Sequence, residues 1–351
     1  MKRTLILFLT ATLTLALVSN AHAQSIYLAY GDREITIDEK KIESYLDHVT
    51  NKVEEAVEQV EKSLEKFEKE AEKFEKEIEK GEFKVIIEEK NTQRFRGSGR
   101  IITETRPVPA DYHGVEASRA IKVTMENRTG STATVRADDN VMPYIKIEND
   151  NGILDIKIDD EIRSINNVTA EVTLPMSTNI SHLEAESAAR INVEYTITST
   201  RLNIEASSAA DINIAKAHVT HCDIESSSAA NVTASIKATE CHMEAASAAK
   251  VKANLLVNEC YADASSAADI TLSGEAGTLN LQASSAADIK ATEIKALVTT
   301  NADASSGANI KVNAGKALSA NASSGGTVSY KSEHDIDIHI KKSSGGSVHK
   351  L

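Results

Sequence analysis

Three cysteines recur at a fixed interval in the second half of the chain. Cys222, Cys241 and Cys260 are 19 residues apart. Such a spacing offers a disulfide or a metal site in an oxidising compartment, because neighbouring thiols can be bridged and thiolates bind Zn²⁺. Leucine or isoleucine takes the equivalent place elsewhere in the chain, and free cysteine is among the residue types most often buried. We therefore predict a structural core column of these three cysteines, with bridging or metal binding as the alternative.

Acidic residues recur at a similar interval. They are Glu184, Glu205, Glu225, Glu244 and Asp263, followed at the equivalent places by Gln282, Asp303, Asn321 and Lys341. If the segments that carry them stack, like charges lie close together and repel, and a divalent cation would relieve that repulsion. Strand carboxylates alone rarely supply the six to eight oxygens that Ca²⁺ takes. We therefore favour a solvated acidic column, and Glu184, Glu205, Glu225, Glu244 and Asp263 are only weak candidates for metal ligands.

The histidines and serines of this region lack the arrangement of a reactive centre. His182, His242 and His339 share one polar position of the repeated segments, but these segments are not adjacent, and His221 stands elsewhere. Surface histidines are favoured over metal ligands, since ligation needs convergent side chains. The serines have no matching His and Asp, and no phosphate loop or nucleotide fingerprint is present. The sequence predicts no catalytic residues, no cofactor and no enzymatic activity.

All these residues belong to a repeat that begins near residue 181. Each copy contains a small-residue segment that ends in an apolar residue, such as ASSAADI at 206–212, and copies begin 18–21 residues apart. Apolar residues two and four positions before this segment alternate with polar ones, which is typical of half-buried strands. A strand, a corner of small residues and another strand in every copy predict a parallel β-solenoid with coils about 4.8 Å apart. Antiparallel hairpins are the alternative, but the corners lack the Asn-Gly or Asp-Gly of hairpin turns.

The N-terminal third has a different character. Lys2-Arg3, the apolar run Leu5–Val18 and Ala21-His22-Ala23 predict a secretory signal peptide. A later charged stretch has apolar residues alternately three and four apart, as in an oligomerising coiled coil or a single amphipathic helix. The predicted organisation is a signal peptide over 1–23, a short segment over 24–39, this helix over 40–82, a linker with the first strands over 83–105, and the solenoid domain over 106–351.

Charge and composition exclude several classes of partner. The chain has 39 Lys and Arg against 52 Asp and Glu, a net charge of −13, and no Trp. Nucleic acid and anionic lipid are poor partners for such a surface, and no stretch is apolar enough for a membrane-spanning helix. A sugar site built on Trp is impossible.

The β region resembles a known family. DYHGVEASRAIKVTME at 111–126, YIKIENDNGILDIKID at 144–159 and NVTAEVTLP at 167–175 precede the repeats in the family's order. The chain thereby resembles the head GIN domain of auto-transporter adhesins, although its corners are Ser-Ala-Ala, Ser-Gly-Ala or Ser-Gly-Gly where the family has Gly-Ser-Gly. The resemblance implies a right-handed β-helix of pectin-lyase-like shape without catalytic residues, in an adhesion or envelope role found mostly in Bacteroidota.

The function predicted from the sequence is adhesin-like binding by a non-enzymatic, exported cell-envelope protein. The expected ligand is a cell-surface or matrix glycan or protein, and the expected location is the periplasm, the outer-membrane surface or the extracellular space. One alternative is a periplasmic scaffold that forms a homo-oligomer through residues 40–82. A β-helix enzyme acting on polysaccharides is less favoured, because this surface is acidic and rich in Ala and Ser.

Overall fold

The computed structural model describes residues 25–30, 33–38, 94–162, 164–332 and 335–351. The chain divides into two units, residues 1–90 and 91–351. In the first, β1 (Ser25–Tyr30) pairs antiparallel with β2 (Arg33–Asp38). The predicted signal peptide over 1–23 and the predicted helix over 40–82 lie outside the described residues.

The second unit begins with short strands that form a framework. Three antiparallel pairings occur among them: Thr132–Asp138 pairs with Ile101–Pro107 and with Ala170–Leu174, and Ile145–Asp150 pairs with Ile153–Ile158. A short 3₁₀ turn over Met142–Tyr144 precedes Ile145–Asp150. The strands are β3 (Arg94–Arg96), β4 (Ile101–Pro107), β5 (Gly114–Ala117), β6 (Lys122–Met125), β7 (Thr132–Asp138), β8 (Ile145–Asp150), β9 (Ile153–Ile158), β10 (Ser164–Asn166) and β11 (Ala170–Leu174).

The rest of the second unit is a stack of parallel coils. Each strand pairs in register with the equivalent residues of the next coil, as in Glu205 with Glu225 and Ala206 with Ser226. The strands are β12 (His182–Ala185), β13 (Arg190–Ala206), β14 (Asp211–Ser226), β15 (Asn231–Ala245), β16 (Lys250–Ala264), β17 (Asp269–Ala283), β18 (Asp288–Ala304), β19 (Asn309–Asn313), β20 (Ala317–Ala322), β21 (Thr327–Lys331), β22 (Asp337–Lys342) and β23 (Ser347–Lys350). The prediction of a mainly β, parallel solenoid is confirmed, and its right-handedness stays a prediction.

The core of the coils follows from period-two alternation. In β13, Leu202, Ile204 and Ala206 are buried while Asn203 and Glu205 are partly exposed. Because each inward residue stacks on its equivalent in the next coil, the interior is a set of columns of Ile, Leu, Val and Ala. Every inward position therefore gains burial from two neighbouring coils, which is the source of solenoid stability.

The corners have a common backbone conformation. In the corner Ser207–Ala210, Ser208 has φ 52° and Ala209 has φ 62°, which is the left-handed region. The amide of Ala210 donates to the carbonyl of Ser207 and closes the turn, at 3.1 Å. The amide of Ala209 donates to the carbonyl of Ser228 in the next coil, at 3.0 Å. This pattern recurs from coil to coil, so the corners form a hydrogen-bonded ladder of their own.

Differences in repeat length are absorbed away from the corners. The register shifts between Val193 and Thr196 in β13 and between Ile214 and Ala217 in β14. Such irregularities insert or remove a residue without changing the pairing on either side. The corners and the strands before them therefore stay aligned although the repeats differ in length.

The solenoid also includes an earlier segment of the chain. Val115–Met125 contains the end of β5, a corner and β6, with Arg119 and Ala120 both at φ 60°. Its two strands pair in register with β12 and β13. The solenoid repeat therefore begins at this segment, well before residue 181. Over the described part of the chain, no helix has the length and apolar character needed to span a membrane.

Candidate functional site

The acidic residues predicted to stack do so, and the column is longer than predicted. Glu184, Glu205, Glu225, Glu244 and Asp263 lie in register on neighbouring strands. Glu116 of β5 pairs with Glu184, and Asp155 of β9 pairs with Glu116. We call these seven residues the acidic column. It continues through Gln282, Asp303, Asn321 and Lys341 and so loses its acidic character along the solenoid.

An open groove of about 450 Å³ is lined by five members of the acidic column, Glu184, Glu205, Glu225, Glu244 and Asp263. It is also lined by corner residues, among them Glu186, Ser207, Ser227 and Ala246. Carboxylates and small hydroxyl-bearing residues thus face the same space over five coils. The groove can hold cations or a ligand rich in hydrogen-bond donors.

Crowding of carboxylates changes their acidity. Partial burial, together with the charges of Glu116 and Glu205, raises the pKa of Glu184. Partial burial and the charge of Glu244 raise the pKa of Asp263. Both carboxyl groups therefore hold their protons more tightly than in water, which is the expected sign when like charges share a site.

A second column runs parallel to the acidic column, two residues earlier in each strand, and we call it the polar column. His182, His242 and His339 belong to it but in coils that are not adjacent. Their neighbours are different polar residues, for example Asp223 and Tyr261 on either side of His242. The members are His182, Asn203, Asp223, His242, Tyr261, Asn280, Asn301, Ser319 and His339.

Part of the polar column is tied into a network. The carboxylate of Glu240 contacts two imidazoles. One oxygen lies 2.8 Å from His242 Nε2, and the other lies 3.2 Å from His221 Nδ1. These contacts, with His242 first, lower the pKa of Glu240. The His242 ring stacks on Tyr261 at 4.5 Å, and the Tyr261 hydroxyl donates to Glu259. This network fixes side chains on the outer face but brings together no nucleophile, base and orienting group.

The three cysteines lie on the opposite side of the same strands, in the interior. Cys222 pairs with Cys241 and Cys241 with Cys260, and all three are fully buried free thiols. Contact with Cys241 and burial raise the pKa of Cys222, and burial raises that of Cys260. A buried neutral thiol is neither a good nucleophile nor a good ligand. This environment supports the interpretation of a core column.

Sequence reasoning missed Glu116 and Asp155 because chain order differs from strand order in the framework. Glu116 pairs in the sheet with Asp155 on one side and with Glu184 on the other, and both lie far from it in the sequence. A signal was nevertheless present, since Ala117–Val123 reads ASRAIKV and aligns with AESAARI at 185–191. Asp155 had no such signal, because β9 carries no corner of this type.

Comparison with protein families gives one match. The family model described as "Putative auto-transporter adhesin, head GIN domain" matches residues 111–262 and 218–333, which together exceed half of the chain. No curated protein matches the chain by sequence.

Three solved structures of similar fold come from Parabacteroides. A "putative adhesin" from Parabacteroides merdae has a TM-score of 0.57 and 17% identity, covering 73% of this chain and 98% of its own. A "putative adhesin" from Parabacteroides distasonis has a TM-score of 0.56 and 18% identity, covering 73% and 99%. A "putative lipid binding protein" from the same species has a TM-score of 0.51 and 18% identity, covering 74% and 100%. At these identities the likeness concerns the fold.

Proposed function

The chain belongs to the head GIN domain family of auto-transporter adhesins, and on this premise we propose that it is a non-enzymatic, exported envelope protein that binds ligands through its acidic column. The observation that carries the proposal is the acidic column with its groove, a row of outward carboxylates on a continuous, hydrogen-bonded sheet. A surface so rigid loses little conformational freedom when a ligand binds.

The chemistry of the groove narrows the ligand. Carboxylates and serine hydroxyls attract groups that are positively charged or donate hydrogen bonds, such as the lysine side chains of matrix proteins and the hydroxyls of glycans. Lipid binding, named for one structural neighbour, has less support here, because acyl chains in the groove would displace water from its carboxylates without replacing the lost hydrogen bonds.

Location is the first test of the proposal. Intact native cells are treated with protease, or labelled with an antibody against residues 181–351. Accessibility on unbroken cells is the expected result. Protection until the outer membrane is permeabilised would contradict adhesion and would favour a periplasmic scaffold.

Binding is the second test. The purified protein is screened on immobilised matrix proteins and glycans, beside a triple variant with Glu205→Gln, Glu225→Gln and Glu244→Gln. The triple variant should lose most of the binding, and a control with Glu194→Gln, Glu275→Gln and Glu293→Gln, outside the acidic column, should keep it. Equal binding by both variants would show that this face is not the one used.

A further inference from the structure

One histidine of the polar column differs from the others in its surroundings. His182 of β12 lies directly opposite Gly114 of β5, and Glu184 lies opposite Glu116. Because Gly114 has no side chain, the imidazole can lean across β5 towards Glu116. A Cβ at Gly114 would lie 3.4 Å from the Cβ of His182 and 3.0 Å from a side-chain carbon of Ile153, so a larger residue would compete for this space.

Three ligand atoms converge there. His182 Nε2 lies 3.6 Å from Glu116 Oε1 and 3.5 Å from Glu184 Oε2, and the three groups all lie within 4.8 Å of one another. These separations exceed an N–H···O hydrogen bond, which is about 2.7–3.2 Å. The two imidazole–carboxylate separations match the edge of a tetrahedron around Zn²⁺, about 3.3–3.6 Å for bonds of about 2.0–2.2 Å.

We propose that Glu116, His182 and Glu184 bind a first-row divalent transition metal, for which Zn²⁺ is the probe. One imidazole and two carboxylates match the ligand types of Zn²⁺ and its neighbours, whereas Ca²⁺ takes oxygen ligands only. Three protein ligands leave a fourth position for water or for an oxygen of a bound molecule. The proposal goes beyond the proposed function, since the metal could bind whether or not the protein is an adhesin.

The local charge balance favours a cation at this point. Glu184 has Glu116 on one side and Glu205 on the other, so three carboxylates stand in consecutive rungs. Glu205 is also hydrogen-bonded to the side-chain amide of Asn203, at 2.6 Å. The Asn203 amide lies beside His182 but donates to Glu205, and Gly114 on the other side of His182 has no side chain. A divalent ion between Glu116 and Glu184 would relieve the repulsion of these two carboxylates.

His242 supplies a matched control in the same column. Its Nε2 lies 2.8 Å from Glu240, and its ring stacks on Tyr261. That separation is a direct hydrogen bond rather than the spacing of two ligands around a metal. Substituting His242 removes a more exposed imidazole of the same column without touching the proposed site.

The test is Zn²⁺ titration by calorimetry of the metal-stripped mature protein, produced without a histidine tag. The wild type should bind one equivalent, with a rise in melting temperature. His182→Gln and Glu116→Gln should bind at least tenfold more weakly, and His242→Gln should match the wild type. Co²⁺ should give the strong visible bands of a tetrahedral site in the wild type and in His242→Gln only.

Three outcomes would overturn the proposal. The wild type fails to show saturable Zn²⁺ binding, His182→Gln binds as tightly as the wild type, or His242→Gln loses the binding instead. The melting temperature of each metal-free variant, compared with the wild type, shows whether a loss reflects unfolding. The Glu205→Gln, Glu225→Gln, Glu244→Gln variant should keep Zn²⁺ binding even where it loses ligand binding, which separates the two proposals.

Discussion

The earlier and later coils of the solenoid place different residues at the left-handed position of the corner. Six corners from Ala188 to Ala286 place alanine at φ 61–63°, whereas the last three place Gly307, Gly325 and Gly345 at φ 74–77°. Left-handed backbone costs an L-residue about 1 kcal/mol or more relative to glycine. The earlier coils therefore accept strain that the later coils avoid.

Two features explain why alanine is accepted. The strained residue lies at the hydrogen-bonded centre of the corner ladder, as in the amide of Ala267 donating to Ser285, so the coils on both sides hold its conformation. Its methyl group is exposed. The comparison teaches that regular stacking can impose a turn conformation that the isolated sequence would avoid.

The largest effect is expected at the fourth corner position of a late coil. A Cβ on Gly326 would lie 2.3 Å from the carbonyl oxygen of Ala304, a backbone atom. Gly326→Ala should therefore destabilise the protein by about 3 kcal/mol, the upper range for overpacking. Urea unfolding, with hydrogen exchange to follow β21 and β23, measures the change. Unaltered stability would mean that the coils around Gly326 can move apart enough to hold an alanine, as the early coils do at the equivalent position.

Gly307→Ala isolates the backbone strain. Nothing lies within 4 Å of the Cβ that it would add, but φ is +74°. The expected loss is about 1 kcal/mol in the free energy of unfolding. It should be clearly smaller than the loss for Gly326→Ala, and equal losses would show that steric contact does not distinguish the two positions.

Ala267→Gly is the reverse change in an early coil. Removing the Cβ at φ 61° relieves strain, and the extra freedom of the unfolded chain offsets part of the gain. We expect a stabilisation of about 0.5–1 kcal/mol in the same urea experiment. Ala268→Gly, at the buried neighbour, is the control and should destabilise.

The smallest effect concerns the acidic column, which also divides early from late coils. The pKa of Asp263 is raised in the folded protein relative to its ordinary value. The folded protein is therefore favoured while this carboxyl is protonated at low pH, and it loses stability as the pH rises and the carboxyl ionises. Asp263→Asn should stabilise the protein at pH 7 by a few tenths of a kcal/mol, because the carboxyl group is only partly buried and solvent screens its charge.

The difference between Asp263→Asn and the wild type should vanish near pH 3. Asp303→Asn is the matched control. Asp303 lies between two uncharged residues, Gln282 and Asn321, so its substitution removes no repulsion between neighbouring carboxylates. A stabilisation of the same size in both variants would remove repulsion as its cause.

The coils could be predicted from the sequence because every repeat has the same pattern of alternating apolar and polar residues around a corner of small residues. Alternation in segments such as Leu202–Ala206 identifies the inward residues, and parallel stacking then aligns Glu184 with Glu205 without further information. The framework could not be predicted in this way. Glu116 meets Glu184 only because β5 enters the sheet beside β12, and pairings between distant strands leave no periodic trace. His182 approaches Glu116 beside Gly114, a single residue that no repeat marks.

The register shifts, which lie away from the corners, affect how the solenoid can change in length during evolution. Whole coils, and short insertions within a coil, can be gained or lost while each surviving corner keeps its partners, since each coil depends chiefly on its neighbours. Duplication of one coil would lengthen the row of carboxylates by one strand spacing, about 4.8 Å. The length of the groove can therefore change during evolution in equal steps of one coil.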